Sequence, residues 1–266
     1  GRVAAAVAAG AQKGIAITNK IYVICDGTAA FMAQVEMMQR VNYGLIKKGV
    51  QIFDLTSTYI APDADIAPGA TILPGCHIRP GCKVGAGAVI GPNTILEKAE
   101  IGAGTTVNNS QVYESTVGSN TTVGPFAYIR PQSVVGDGCR IGDFVELKKS
   151  TIGNGTKVSH LTYIGDSDVG KYCNFGCGTV TCNYDGKDKF RTQIGDYCFI
   201  GCNTNLVAPV KVGDGAYTAA GSTITKDVPP QALGIARERQ TNLDGWAEPK
   251  MEAYIIKKQK LEKEQG

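Results

Sequence analysis

Histidine is almost absent from this sequence, which contains only His77 and His160 among its 266 residues. A zinc site built from three histidines is therefore excluded. The nine cysteines include no pair at C-x-x-C spacing, so nothing indicates a zinc site built from paired thiolates either. We expect no bound metal, and we expect reduced cysteines that serve as small apolar residues in a cytoplasmic protein.

An excess of charge of one sign is also missing. The chain has 27 Lys and Arg against 24 Asp and Glu. A nucleic-acid-binding protein would carry a concentrated basic face, so we expect no nucleic-acid partner. No apolar run is long enough to span a bilayer, and we expect no membrane partner. The opening GRVAAAVAAGA resembles the core of a signal peptide, but Gln12 and Lys13 follow it, so an Ala-rich helix is the better interpretation.

Aromatic residues make up only 7% of the chain, whereas glycine occurs 34 times, which indicates a regular use of glycine at turns. A six-residue repeat of aliphatic residues explains this composition. The repeat slips by one residue at Ile95 and has irregular patches after Val107 and Phe175. Its members are Ile60, Ile66, Ile72, Ile78, Val84, Ile90, Ile95, Ile101, Val107, Val117, Val123, Ile129, Val135, Ile141, Leu147, Ile152, Val158, Ile164, Val169, Phe175, Ile194, Ile200, Leu206, Val212, Thr218 and Ile224.

A period of six fits neither a helix, which would show spacings of three and four, nor an alternating strand, which would show two. It fits one short strand plus one tight turn, with the aliphatic side chain pointing inward. Three such segments close a triangular coil of about 18 residues, so the repeat predicts roughly nine coils of a hexapeptide parallel β-helix. The known hexapeptide proteins wind left-handed, and we expect the same hand here. The predicted fold class is an all-β solenoid.

Both ends of the chain depart from the repeat. TAAFMAQVEMMQRVNYGLIKKGV has apolar residues at helical spacing and predicts a helix that enters the solenoid. These residues are Phe31, Val35, Met38, Val41 and Leu45. At the other end, AEPKMEAYIIKKQKLEKEQG predicts a short charged helix or a frayed tail.

Three stretches break the repeat inside the solenoid, and such breaks are where a solenoid usually carries its chemistry. FAYIRP puts Arg130 just after an inward aliphatic residue, and FVELKKS puts Lys148 and Lys149 in a turn. KVSHLTYIGD puts His160 and Tyr163 where most copies of the repeat have small or turn-forming residues. The third break, TCNYDGKDKFRTQ at 181–193, is long enough to leave the solenoid as a loop.

Each break has a plainer explanation, because surface charges, a solvated histidine and an Asp-Gly turn are all common. The loop has too few glycines for a phosphate-cradling P-loop. Their combination favours a site, since Arg130, Lys148 and Tyr163 lie about one coil apart and stacking brings them near one edge with His160. Arginine and lysine suit a phosphate, and a neutral imidazole suits a general base.

These stretches resemble the C-terminal half of a bacterial bifunctional family, the glucosamine-1-phosphate acetyltransferases / N-acetylglucosamine-1-phosphate uridyltransferases. The resemblance covers almost all of 59–246 and is far more specific than a generic hexapeptide match. Its phrases are GPFAYIRP, FVELKKSTIGNGTKVSHLTYIGD, NFGCGTVTCNYDGKDKFRTQIGD, LVAPVKVGDGAYTAAGSTITKDV and ARERQTNLDGW. It implies acetyl transfer from acetyl-CoA to the amino group of glucosamine 1-phosphate, a step of UDP-N-acetylglucosamine and cell-wall synthesis, without a metal.

The resemblance also implies roles for individual residues. His160 stands where the family has its general base. The positions that match the sugar-phosphate contacts are Arg130, Lys148, Tyr163 and Asn174, and those that match the acetyl-CoA contacts are Cys177, Asn183, Tyr184, Cys202, Ala220 and Arg237. Two residues depart from the family pattern, since Cys177 stands for an alanine and Cys202 for a serine. Both are small, and we expect the contacts there to involve the backbone, so the effect should be slight.

The resemblance implies three segments: a remnant of the uridyltransferase domain with a linker helix at 1–58, the β-helix acetyltransferase domain at 59–228, and a C-terminal arm and tail at 229–266. No Gly-rich nucleotidyl motif precedes Tyr59, and CDGTAA stands where the family has a magnesium-binding asparagine. We therefore expect no uridyltransferase activity from this chain. The family also implies a homotrimer whose active site lies between neighbouring subunits.

Three other hypotheses can be weighed against this one. The γ-type carbonic anhydrases share the fold but need three zinc-binding histidines, so two histidines exclude them. Another hexapeptide acyltransferase, of the serine, maltose or lipid A type, shares the fold and a histidine base but not the phrases above. A non-catalytic β-helix scaffold is the third, although a scaffold has no need to combine His160, Arg130, Lys148 and Arg237.

Overall fold

A short strand followed by a tight turn repeats through most of the chain, as the six-residue period predicts. The computed structural model describes residues 13–17, 20–24 and 27–265. Within these residues the repeat forms about ten turns of a left-handed parallel β-helix, which confirms the predicted fold class. The Ala-rich helix predicted for 1–11 lies outside the described residues.

Three parallel sheets form the faces of this β-helix, and we number them in the order in which the chain first enters them. The first face contains Gln51–Ile52, Thr71–Ile72, Val89–Ile90, Thr106–Val107, Thr122–Val123, Arg140–Asp143, Lys157–His160, Asn174–Phe175, Phe199–Ile200, Tyr217–Thr218 and Leu233–Gly234. The second face contains Tyr59–Ile60, His77–Ile78, Ile95–Glu97, Gln111–Tyr113, Tyr128–Ile129, Glu146–Lys148, Tyr163–Gly165, Val180–Cys182, Asn205–Val207 and Thr223–Ile224. The third face contains Asp65–Ile66, Lys83–Val84, Glu100–Ile101, Thr116–Val117, Val134–Val135, Thr151–Ile152, Ser167–Val169, Thr192–Ile194 and Val210–Val212.

Each strand pairs in parallel with its counterparts one coil before and one coil after. For example, Leu147 of the second face pairs with Ile129 below it and Ile164 above it. Because equivalent residues stack in register, every inward aliphatic side chain lies on the next and a single buried column results. The same stacking brings polar residues one coil apart into contact on the outside, and this positions the candidate site.

The inward position of one strand differs from the prediction. The repeat was expected to slip at Ile95, but Leu96 is fully buried and Ile95 is only half-buried. The six-residue period therefore continues from Ile90 to Leu96. The patch after Val107 also contains a buried residue that the prediction missed, Val112.

The irregular steps are five-residue steps, which shorten a turn by one residue without breaking the column. Most of them occur at the second corner, where the chain passes from the second face to the third. These steps are Leu96 to Ile101, Val112 to Val117, Leu147 to Ile152 and Ile164 to Val169. A turn of either length can join two short strands, so the inward side chain rather than a fixed count defines the repeat.

Five cysteines occupy buried positions two residues before an inward residue. They are Cys76, Cys82, Cys139, Cys173 and Cys198. All cysteines in the described part of the chain are free. Burial raises the pKa of the thiols of Cys76, Cys82 and Cys139, which are therefore inert small apolar groups, as predicted.

The helix that precedes the solenoid spans Gly27–Lys47 and confirms the helical prediction. Leu45 is buried against the first coils, and Asn42 donates a side-chain hydrogen bond of 3.0 Å to the carbonyl of Thr58. Phe31 was assigned to the apolar stripe, but it is exposed. Before this helix, the strands Lys13–Ile17 and Lys20–Ile24 pair antiparallel.

The chain divides into two units, one ending at Ala236 and the other beginning at Arg237. Strands of the solenoid occur at Gln51–Ile52 and Leu233–Gly234, outside the predicted bounds of 59 and 228. The second unit contains a helix, Glu248–Gln265, where a short helix or frayed tail was expected. Within the described residues, no helix has the length and apolar character needed to cross a membrane.

The loop that interrupts the solenoid is shorter than predicted. The expected bounds were 181–193, but Thr181 faces inward in the strand Val180–Cys182 and Thr192 begins the strand Thr192–Ile194. Residues 183–191 form the loop. Arg191 closes it through a side-chain ion pair with Asp168 on the third face.

Candidate active site

His160 lies at the end of the strand Lys157–His160, at the first corner, where the chain passes from the first face to the second. Its Nδ1 is 2.7 Å from Oδ1 of Asp143, which ends the paired strand one coil below. About half of the imidazole is exposed, 53% of the side chain. In the described part of the chain, Nε2 of His160 makes no hydrogen bond.

The first corner continues upward from His160 as a column of stacked turns. The backbone N–H of Gly178 donates to the carbonyl of Leu161, that of Asn203 donates to Cys177, and that of Gly221 donates to Cys202. The three predicted residues Cys177, Cys202 and Ala220 therefore lie on successive coils above His160. Cys177 is half-buried, and the other two are exposed.

The turns of this column have unpaired donors. Among the described residues, no protein acceptor is bound by the backbone N–H of Cys177, Cys202 or Ala220. Buried or half-buried N–H groups usually have a partner, and free ones at a turn can bind a ligand carbonyl or an oxyanion. The turn that contains Gly176 packs closely on the turn that contains Cys202. A side chain at 176 would prevent this, because a Cβ on Gly176 would lie 2.4 Å from the nitrogen of Cys202.

A second feature lies at the other end of the second-face strands. A cavity of about 520 Å³ opens there, beside the loop at 183–191. It is lined by Arg130, Lys148, Tyr163, Asn183, Tyr184, Lys187 and Lys189. Five of these were predicted from the sequence. The four cationic side chains make the cavity suited to an anion with several charges.

Lys148 is the buried cation of this cavity. Its Nζ lies 2.7 Å from Oδ2 of Asp166 on the next coil, and Asn183 donates its side-chain amide to the same oxygen. Burial alone would lower the pKa of Lys148, but the hydrogen bond and charge of Asp166 outweigh it, so the pKa is raised. The pKa of Lys189 is lowered, first by its side-chain hydrogen bond with Lys148 and then by the positive charge of Lys148. Both lysines line the cavity and add to its positive potential.

Arg130 extends across the same face and pairs with Glu146, with 2.8 Å between Nη1 and Oε1. The hydrogen bond that Arg130 donates to Glu146 raises the pKa of Arg130 further, so the guanidinium stays charged. Tyr163 points along its strand toward the cavity, and its hydroxyl occupies the space that a Cβ on Gly165 would fill. Glycine at 165 is therefore needed for the tyrosine to reach the cavity.

The predicted site residues thus fall into two groups. Arg130, Lys148, Tyr163, Asn183 and Tyr184 line the cavity, whereas His160, Cys177, Cys202 and Ala220 lie on the first corner. His160 does not line the cavity, but it lies only three residues before Tyr163 on the same coil.

Two predicted residues belong to neither group. Asn174 is exposed on the first face, one coil above Lys157 of the His160 strand. Arg237 begins the second unit of the chain. Their predicted contacts with substrates stay predictions.

Asp143, Asp166, Lys187 and Lys189 were not identified from the sequence. The coil length offered a signal for the two aspartates, since Asp143 precedes His160 by 17 residues and Asp166 follows Lys148 by 18. A polar residue one coil from another is its neighbour in a β-helix. The lysines of the loop carried no comparable signal, because a loop outside the solenoid has no register.

No group of three or more histidine, cysteine, aspartate or glutamate side chains suited to a metal ion occurs among the described residues.

Comparison with known proteins supports the family suggested by the motifs. A family model described as bacterial transferase hexapeptide (six repeats) matches residues 63–98, 114–149 and 191–226. Bifunctional protein GlmU of Clostridium novyi is 55% identical over 79% of this chain and 46% of its own length. Bifunctional protein GlmU of Clostridium perfringens is 54% identical over 89% of this chain and 53% of its own length. The chain therefore spans about half the length of these relatives.

A solved structure of Arabidopsis UDP-N-acetylglucosamine acyltransferase aligns with a TM-score of 0.41 and 19% identity, over 71% of this chain and 76% of that one. A similarity at this level carries no information about the site.

Proposed function

The chain is a hexapeptide-repeat homologue of part of the bifunctional GlmU proteins, and from this premise we propose that it transfers an acetyl group from acetyl-CoA to the amino group of glucosamine 1-phosphate. The product is N-acetylglucosamine 1-phosphate, which is used for UDP-N-acetylglucosamine and cell-wall synthesis. One observation carries the proposal: four cationic side chains converge on a cavity whose Tyr163 follows the exposed His160 on the same coil.

The cavity binds the phosphate and sugar in this proposal. Arg130 offers a planar fork of donors and Lys148 a compact charge, and both suit phosphate oxygens. Lys148 keeps its proton because Asp166 compensates for its burial. Tyr163 contributes a hydroxyl that can bond a sugar oxygen, and Asn174 is the further sugar contact that the resemblance implies. Fixing the phosphate positions the amine for attack.

His160 is the general base. The neutral amine has the lone pair that attacks the thioester carbon, and its nitrogen must lose one proton as the C–N bond forms. Nε2 of His160 takes this proton, and the thiolate of CoA leaves with the electrons of the C–S bond. The thioester is already activated, so acetyl transfer needs no metal.

The column of turns above His160 binds acetyl-CoA. The unpaired N–H groups of Cys177, Cys202 and Ala220 offer donors to the carbonyls of the pantetheine arm and to the oxyanion that forms on the thioester. The resemblance implies further CoA contacts by Arg237 and by two residues that line the cavity rather than this column, Asn183 and Tyr184. The departures at Cys177 and Cys202 do not disturb this role, since it uses their backbone.

We also propose a homotrimer in which the segment at 229–266 completes a neighbour's site, with 1–58 as a remnant and linker and 59–228 as the acetyltransferase domain. The free, buried thiols suit a reducing compartment, so the cytoplasm is the proposed location. With no Gly-rich nucleotidyl motif among its residues, the 266-residue chain should not form UDP-N-acetylglucosamine from UTP.

The experiment is a comparison of acceptors. Thiol release from acetyl-CoA is measured with glucosamine 1-phosphate, glucosamine and serine at matched concentrations. We expect rapid release with glucosamine 1-phosphate and slow release with the other two. Preference for serine, or equal rates for the two sugars, would assign the chain to another type of hexapeptide acyltransferase. Absence of release with every acceptor would favour a scaffold.

A further inference from the structure

We propose that Asp143 is a positioning residue for His160: its carboxylate binds the imidazole through Nδ1–H and so leaves Nε2 as the nitrogen that accepts the proton. This inference rests on the proposed function for the identity of the amine. It concerns a residue that the motifs did not identify and whose side chain makes one hydrogen bond among the described residues, to His160.

The contact is short and well defined. Oδ1 of Asp143 lies 2.7 Å from Nδ1 of His160, within the range of a charge-assisted hydrogen bond. Both side chains are partly exposed, 39% for Asp143 and 53% for His160, so neither is buried for the sake of the core. A contact of this exposure adds little to stability, and an orienting role explains it better.

The chemistry of the pair selects one tautomer. An ionised carboxylate has no proton to donate, so Nδ1 of a neutral imidazole must carry the hydrogen. The lone pair is then on Nε2, which has no partner among the described residues. The hydrogen bond lowers the pKa of Asp143, so its carboxylate stays ionised over the range in which histidine titrates. Once Nε2 is protonated, the negative charge stabilises the imidazolium.

The β-helix builds this arrangement through its backbone. Asp143 and His160 are direct partners in the pairing of their strands, and the N–H of Leu161 donates to the carbonyl of Asp143 at 2.9 Å. Gly142 allows the two coils to approach, because a Cβ there would lie 1.9 Å from the carbonyl oxygen of Ser159. The dyad is thus held on paired strands rather than on a mobile loop, which suits a positioning role.

The first experiment measures kinetics. In Asp143→Ala, we expect kcat for acetyl transfer to fall about 10–100-fold, the range known for carboxylates that orient metal-binding histidines. The KM values for both substrates should stay unchanged, because Asp143 touches neither. In Asp143→Asn, the amide oxygen can still accept the hydrogen bond from Nδ1–H but carries no negative charge. The kcat of this variant should therefore lie between those of the wild type and Asp143→Ala. Glu100→Ala is the control, since it also removes a half-exposed carboxylate from a cation, Lys83.

The second experiment reads the tautomer directly and needs no substrate. Long-range ¹⁵N–¹H NMR on histidine-labelled protein distinguishes a protonated ring nitrogen from an unprotonated one, and a His77→Gln variant leaves only the signals of His160. At about pH 8.5, where histidine is neutral, we expect Nδ1–H in the wild type and Glu100→Ala. Asp143→Ala should show a mixture of tautomers.

Each outcome decides one point. Protonated Nε2 in the wild type, or a kcat in Asp143→Ala equal to that of the wild type, would overturn the positioning role. A wild type that transfers no acetyl group would overturn the proposed function instead, and the NMR spectrum would still decide whether Asp143 orients the ring.

Discussion

Two aspartates of this chain pair with basic side chains in different surroundings, and burial decides what each aspartate can contribute. Asp166 is buried with Lys148, whereas Asp143 is partly exposed with His160. An exposed pair is worth little in stability, since water screens it. A buried pair cannot lose one partner without leaving an uncompensated charge. Asp166 should therefore matter for folding, and Asp143 for the orientation of a reactive group.

The first prediction tests Asp166. Asp166→Asn should lower the free energy of unfolding by about 3 kcal/mol at neutral pH, because it leaves the buried ammonium of Lys148 unpaired. Chemical denaturation measures the change. Asp168→Asn is the matched control, since it breaks the exposed pair with Arg191 and should cost at most about 1 kcal/mol. Equal effects of the two substitutions would contradict the prediction.

The same pair has a defined pH dependence. The folded pKa of Asp166 is lowered because the hydrogen bonds from Lys148 and Asn183 outweigh its burial. Its contribution is thus complete above its ordinary value of about 4 and is lost as pH falls through the lowered pKa. The raised pKa of Lys148 keeps its contribution complete below about pH 10.5. The stability gap between wild type and Asp166→Asn should be constant between these limits and shrink in acid.

The next prediction concerns His160. His160→Ala should cut kcat by about 10²–10⁴-fold, the usual contribution of a general base. The melting temperature should not change, because the side chain is half exposed and its one partner is a surface carboxylate. Steady-state kinetics and thermal unfolding measure the two quantities. A variant with wild-type turnover would end the assignment.

A further prediction separates the phosphate site from a generic sugar site. Charge-assisted contacts are worth about 1.5–3 kcal/mol each, so glucosamine, which loses those of Arg130 and Lys148, should have a kcat/KM about 10²–10⁴-fold lower than glucosamine 1-phosphate. Added salt should lower kcat/KM for glucosamine 1-phosphate more than for glucosamine, because salt screens the contacts to the phosphate. Arg130→Ala should lower kcat/KM for glucosamine 1-phosphate but not for glucosamine, so the difference between the two substrates should become smaller. Similar kcat/KM values of the wild type for both sugars would refute phosphate binding by Arg130 and Lys148.

At the scale of the repeat, substitutions in the strand Ile95–Glu97 test which of its residues faces the core. Leu96→Ala should destabilise the protein by about 2–5 kcal/mol, since it empties part of a fully buried column. Ile95→Ala, one residue away, should cost much less because Ile95 is only half-buried and faces out. Denaturation of the two variants compares them directly. A larger loss in Ile95→Ala would restore the register first predicted from the sequence.

The repeat was predictable because its signal is redundant: each inward residue is supported by neighbours six positions away, and one wrong assignment at Ile95 left the fold unaffected. The contacts of the site carry no such redundancy. Arg130 and Lys148 stood out by breaking the pattern, but nothing in the pattern singled out Asp166. Asp166 follows Lys148 by 18 residues, which is the length of that coil in the structure, and this spacing makes it the partner of Lys148. Five-residue steps change that length from coil to coil, so exact contacts require the structure.

At the scale of the whole molecule, the two groups of site residues raise the question of how one site is completed. Arg237 begins a separate unit of the chain, yet the resemblance implies that it contacts acetyl-CoA. A closed trimer would complete each site if the C-terminal unit of one subunit contributed Arg237 to the site of its neighbour. Cyclic assemblies of identical chains place equivalent contacts at each interface, so three identical sites would form together.

The last prediction tests this sharing of residues between subunits. We expect sedimentation to give about three times the chain mass of 28.0 kDa. His160→Ala and Arg237→Ala should each be nearly inactive, the first through kcat and the second through a raised KM for acetyl-CoA. If His160 and Arg237 of one site come from different subunits, random mixed trimers from equal amounts of the two variants should regain about a quarter of wild-type activity, because that fraction of sites has both native residues. Co-expression of the two variants ensures mixing, and tags of different mass verify it. Mixed trimers without restored activity would show that each subunit supplies both residues to its own site.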